Sequence, residues 1–131
     1  MCRRNCYCPK SGAVVTLFIA LAGGLGAATR IVLDGLIRER SSGRYPWATT
    51  VINISGSFLL GLVVSLGIGS DWHAIAGAGF LGGYTTFSTA SFETARLAHD
   101  GRFLAALANG LGMLVAAVAA ASLGFWLGSF R

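Results

Sequence analysis

The chain has 131 residues, of which 54% are hydrophobic and only 11% charged, and its mean hydropathy is +0.68. Soluble domains carry about 25% charged residues, so this balance excludes an ordinary soluble fold and points to an integral membrane protein. The net charge of +5 gathers at the ends of apolar runs, where it meets anionic headgroups, and so does not indicate a nucleic-acid partner.

Four runs without formal charge follow one another: Ser11 to Thr29, Tyr45 to Ser70, Trp72 to Phe92, and Phe103 to Phe130. Each is long enough to cross a bilayer as a helix at about 1.5 Å per residue. The expectation is an all-α membrane fold with four transmembrane helices in a single domain, residues 12–131, behind an exposed tail, residues 1–11. Cys2, Cys6 and Cys8 all lie in that tail; no histidine is near enough to complete a zinc set, so they read as a reactive, unstructured segment. Arg3, Arg4 and Lys10 ahead of an apolar stretch and Ala20-Leu21-Ala22 resemble a cleavable leader. Because Gly23 to Arg30 continues the apolar run and ends in a charge, retention of the first span is expected.

The first span, Ala13 to about Leu33, is punctuated by Gly23, Gly24 and Gly26, which let a neighbouring backbone approach closely. Arg30 near its end either snorkels to the headgroups or marks the mouth of an anion route. Asp34, Arg38, Glu39, Arg40 and Arg44 are expected in a loop holding a short interfacial helix. The second span, Trp47 to about Gly69, buries Asn53. An amide at that depth is either interhelical glue or a donor to an anion. Thr49, Thr50, Asn53 and Gly56 or Ser57 recur at helical spacing, giving a polar or small face that should meet the third span.

The third span is a poor helix. Gly82 and Gly83 cost roughly 1 kcal/mol each relative to alanine, and Thr85, Thr86, Ser88, Thr89 and Ser91 place hydroxyls where lipid favours Leu or Val. Irregular backbone at membrane depth survives only when protein buries it or it lines a wet cavity. A helix break with a polar lining is therefore predicted between Gly82 and Ser91, and its freed carbonyls, at Gly82 and Thr85, could hold a cation. The fourth span, Phe103 to Phe130, has Asn109 as its one strongly polar interior residue. Gly79 with Gly83, and Gly124 with Gly128, are small-xxx-small pairs that predict close helix packing.

No acid or base pair sits at a catalytic spacing and no cofactor fingerprint is present, so an enzyme is not expected. A transport route fits better. The hydroxyls of Ser88, Thr89 and Ser91 and the amide of Asn53 can replace water around a small anion, and the positive edge of the Phe87 ring can line its path. The ends of the spans carry nearly balanced charge: Arg3, Arg4, Lys10 and Arg131 on one side, Arg38, Arg40, Arg44, Arg96 and Arg102 on the other. The positive-inside rule then has little to act on, which suits insertion in both orientations and pairing of inverted copies.

Three stretches in order, GGLGAATR, ATTVINISGSFLLG and GFLGGYTTFSTASFE, resemble the Fluc-type fluoride channel family of small bacterial exporters, over about residues 12 to 128. The resemblance implies an antiparallel, dual-topology dimer of four-helix subunits in the bacterial inner membrane, with two pores conducting fluoride passively and relieving its toxicity. It implies a structural sodium ion on the main-chain carbonyls of Gly82 and Thr85, and no organic cofactor. It places the pore asparagine on Asn53, the first pore phenylalanine on Phe87, the hydroxyl track on Ser88, Thr89 and Ser91, the vestibule arginine on Arg30, and a family acid on Glu93. Two departures stand out: the family commonly reads TTFSTF, whereas this chain has Ala90 in place of the second phenylalanine, and the family's fourth helix tends to carry a tyrosine and serines beside the pore, whereas here only Asn109 is polar nearby. The partner is thus an identical chain or, as in paired members of the family, a related unequal subunit. Of the same size and topology are the small multidrug transporters, but these need a carboxylate in the first span, and Ser11 to Thr29 contains none.

Overall fold

The structure, a computed structural model, describes residues 9–41, 45–67 and 69–130. Cys2, Cys6, Cys8, Arg3, Arg4, Arg44 and Arg131 lie outside the described residues, as does the side chain of Lys10. Every regular element among the described residues is helical. Helix α1 spans Pro9–Arg40 and α2 spans Trp47–Ser65. Helix α3, residues 70–84, begins as Ser70–His73, widens into the π-helical stretch Ala74–Leu81, and closes with Gly82–Tyr84. After two extended residues α4 runs over Phe87–His99. Helix α5 covers Phe103–Gly128, with π-helical turns over Ala108–Gly112.

Helices α1, α2 and α5 are each long and apolar enough to cross a membrane. Their outer faces carry exposed Leu17, Phe18, Leu21, Leu25, Leu104, Leu111 and Val115; so continuous an apolar exterior is stable against lipid and not against water. Together with the composition, this makes the chain a helical membrane protein.

The first span is longer than the sequence suggests. The charged segment after Arg30, expected as a loop, continues α1 for ten residues to Arg40, giving 32 residues in all, or about 48 Å of helix. The reason is local: Arg38 Nε lies 2.7 Å from Asp34 Oδ2, and an Asp–Arg pair at i,i+4 supports a helical turn. In the opposite sense, α2 stops at Ser65, short of Gly69, and Gly67 turns the chain with a φ of +59°.

Two seams hold the helices together. On one, α1 lies against α3, where a Cβ on Gly26 would run into the carbonyl of Phe80 and a Cβ on Gly83 into the carbonyl of Gly23. On the other, α2 lies against α5, with Gly61 facing the Ala121 backbone and Gly124 the Phe58 backbone. Of the predicted small-xxx-small pairs, Gly79 and Gly83 both sit where backbones meet, whereas in the second pair Gly124 meets backbone and Gly128 the side chain of Ser65. Gly24 differs: no atom comes within 4 Å of its would-be Cβ, so it takes no part in the seam. The core between the seams is Ile52, Leu81 and Tyr84, with Leu33, Val63 and Phe80 packed around them. Phe80 and Tyr84 stack with centroids 6.2 Å apart, and the Tyr84 hydroxyl is 3.0 Å from Ser55 Oγ.

Candidate functional site

The break predicted between Gly82 and Ser91 falls on Thr85 and Thr86. Thr85 is extended (φ −79°, ψ 158°), and so is Thr86 (φ −146°, ψ 118°). Thr86 is the N-cap of α4: its Oγ1 accepts the Thr89 N–H at 3.3 Å and lies 3.0 Å from Thr89 Oγ1. Thr85 stays tied to α3, its N–H and its hydroxyl both donating to the Leu81 carbonyl at 2.9 and 3.0 Å.

Asn53 closes the gap from across the molecule. Its Nδ2 donates to the Thr86 carbonyl at 2.9 Å, and the Thr86 N–H donates to Asn53 Oδ1 at 2.8 Å. One amide thus satisfies the Thr86 N–H, which neither flanking helix can serve, at a depth where leaving it bare costs several kcal/mol, and adds a second donor to a carbonyl that already caps α4. Both readings of Asn53, interhelical glue and anion donor, bear on the break, and the geometry gives it the first role directly. The remaining Nδ2 hydrogen has only a weak acceptor nearby, Met113 Sδ at 3.5 Å.

The clamp has a consequence for the carbonyls. In an unbroken helix the Thr86 N–H would donate to Gly82; here it is spent on Asn53, which leaves the exposed Gly82 carbonyl without its usual helical donor. A carbonyl oxygen of this kind is a hard donor suited to a cation such as sodium, so the Gly82 carbonyl fits the ion that the resemblance implies.

A groove of about 690 Å³ opens beside the break, between α2, α3, α4 and α5. Asn53, Gly82, Thr85, Phe87 and Ser91 line it, together with Thr86, Ala90 and Thr94. Phe87 is 87% exposed, standing at the start of α4 with no core of its own chain to enter. The structure does not bring the other predicted residues to this groove. Ser88 and Thr89 turn elsewhere on α4, with Ser88 exposed and Thr89 engaged in the cap. Arg30 is half-buried in the middle of the lengthened α1, not at its end.

Asn109 is completely buried between α5 and α4. Its Nδ2 donates to the Ala90 carbonyl at 3.2 Å and to Thr94 Oγ1 at 2.8 Å, while its Oδ1 has no partner. Ala90 is buried too, at 4% exposure, whereas Phe92 is exposed. In this chain the helix face that carries a second phenylalanine in the TTFSTF pattern is thus packed on α5 through a small residue. Sequence reasoning missed Thr86 and Thr94. A Thr just ahead of FSTASFE is an N-cap signal for α4 and could have found the first; Thr94 gave none, because its role depends on Asn109 arriving from α5.

Residues 17–125 match the family described as CrcB-like protein, Camphor Resistance (CrcB). The chain is 54% identical over 119 residues, 88% of its length and 87% of the relative's, to a protein of Leifsonia xyli subsp. xyli named fluoride-specific ion channel FluC 1. It is 50% identical over 119 residues, 86% of its length and 96% of the relative's, to fluoride-specific ion channel FluC 2 of Cutibacterium acnes. A protein of Mycobacterium bovis with that same name is 40% identical over 109 residues, 83% of this chain and 86% of its own. Spread across the clamped break and all five helices, this similarity establishes that the chain belongs to the CrcB-like family.

Proposed function

We propose that this chain is the subunit of a passive, fluoride-selective channel of the bacterial plasma membrane that exports fluoride and relieves its toxicity. The observation that carries the reading is the 54% identity, over most of both chains, to a protein named a fluoride-specific ion channel. The break supplies the physical basis. Fluoride is small and strongly hydrated, and the idealised cost of moving such an ion into hydrocarbon is of order 20 kcal/mol, so a conduit must replace its water with fixed donors. Ser91 and Ser57 hydroxyls, the Phe87 ring edge and the spare Asn53 hydrogen offer such donors in the groove. Asn109 acts beside the route by fixing Thr94; Ser88, Thr89 and Arg30 serve its approaches.

In this reading α3 and α4 together make the third of four crossings, and two copies pair in opposite orientations. The exposed Phe87 and the open groove are the surfaces the second copy covers, leaving two routes per dimer. The Gly82 and Thr85 carbonyls would hold a sodium ion at the pairing axis, where its charge offsets the anions beside it. A proton-coupled drug exchanger is disfavoured, since Asp34, the first carboxylate along the lengthened α1, is already held by Arg38.

A second reading has one specific observation in its favour. Ala90, buried against α5, stands where the family pattern has a second pore phenylalanine, which an unequal partner subunit could supply. Growth separates the two. Expressed alone in a bacterium stripped of its own fluoride exporters, the chain should restore growth on fluoride medium; restoration only with a co-expressed relative would favour the unequal pair. No restoration in either case would contradict the channel reading.

A further inference from the structure

Midway along α4, Glu93 is turned inward, its side chain 12% exposed. One oxygen, Oε1, meets Arg38 Nη2 at 3.0 Å; the other, Oε2, is buried with no partner. Arg38 also holds Asp34 at 2.7 Å, so one guanidinium bridges a carboxylate of α1 and a carboxylate of α4, Arg38 and Glu93 lying 55 residues apart. This bridge sits in the wall of a separate cavity of about 380 Å³, whose other charged residues are Arg96, Asp100 and Arg102. The charges there balance: three guanidiniums against Glu93, Asp100 and the adjoining Asp34.

Resting on the channel reading, we propose that Arg38 is a positioning residue for anion conduction. It offsets the Glu93 charge beside the hydroxyl-bearing stretch of α4 and fixes the carboxylate away from it. Glu93 is one helical turn from Thr89, about 6 Å along the axis, well inside the screening length of roughly 8 Å at physiological salt. A carboxylate so placed and left unpaired repels an approaching anion, and burial prevents water from screening it. Only Arg38 reaches Glu93 among the described residues.

The test is fluoride efflux from liposomes holding the purified full-length chain, its Arg38→Gln and Arg38→Lys variants, and the double variant Arg38→Gln/Glu93→Gln, each checked for assembly by size-exclusion chromatography. Arg38→Gln should lower flux tenfold or more, Arg38→Lys should retain most of it, and the double variant should conduct at least tenfold faster than Arg38→Gln alone. A bridge that merely pins α1 to α4 predicts the contrary: the double variant, which also lacks the bridge, stays as slow as the single one. Unchanged flux in Arg38→Gln would overturn the proposal, and so would misassembly of both the single and the double variant. Absence of flux from the unaltered chain would instead count against the channel reading itself.

Discussion

A single amide, that of Asn53, keeps Thr85 and Thr86 extended inside an otherwise helical membrane protein. It holds the Thr86 N–H and carbonyl at 2.8 and 2.9 Å, and interhelical hydrogen bonds in membranes are worth about 0.6 to 2 kcal/mol each. Asn53→Ala removes both and strands the Thr86 N–H, so a loss of roughly 1 to 3 kcal/mol is expected, read as a lower midpoint in detergent unfolding together with loss of flux. Asn53→Asp should be no better: its carboxylate still accepts the Thr86 N–H but meets the Thr86 carbonyl as a second acceptor. Retention of wild-type stability in either variant would show that the break holds without the clamp. That an amide at Asn53 and a break near Thr85 both matter was legible from residue types and depth. Their mutual hydrogen bonds were not, because they join positions 33 residues apart.

Among the elements, the glycines divide by what they touch. Gly26 and Gly24 occupy the same turn of α1, and the sequence assigns them the same role; only the crossing of α3 separates them. A methyl group on Gly26 would strike the Phe80 carbonyl and the Tyr84 N–H, whereas one on Gly24 meets nothing within 4 Å. Gly26→Ala is therefore expected to cost about 1 to 3 kcal/mol by forcing the seam apart. Gly24→Ala should be neutral or stabilising by up to about 1 kcal/mol through helix propensity. Equal thermal stability of the two purified variants would mean that α1 and α3 do not pack as closely as this. The lengthening of α1 was hidden for a related reason. A charged run after a span reads as a loop, and it is the Asp34–Arg38–Glu93 bridge that makes it helix. The two π-helical stretches left no signature, since composition does not distinguish an i→i+5 turn from an α turn.

On the scale of the whole molecule, composition and the four uncharged runs sufficed for an all-helical membrane protein. The open groove, the exposed Phe87 and the bare Gly82 carbonyl are features that a lone chain leaves incomplete. In the proposed channel, a second inverted copy would cover the first two and a sodium ion would take up the third. Replacing sodium by a bulky organic cation during purification should lower thermal stability and flux together, and readdition of sodium should restore both; indifference to sodium would remove the ion from the account. The most direct measurement is fluoride efflux from liposomes containing only this chain, followed with a fluoride electrode beside parallel chloride efflux. Rapid loss of fluoride with chloride retained is the predicted result and would also show that Ala90 is compatible with a working route. Retention of fluoride by vesicles holding a folded, sodium-loaded dimer would contradict conduction by this chain alone.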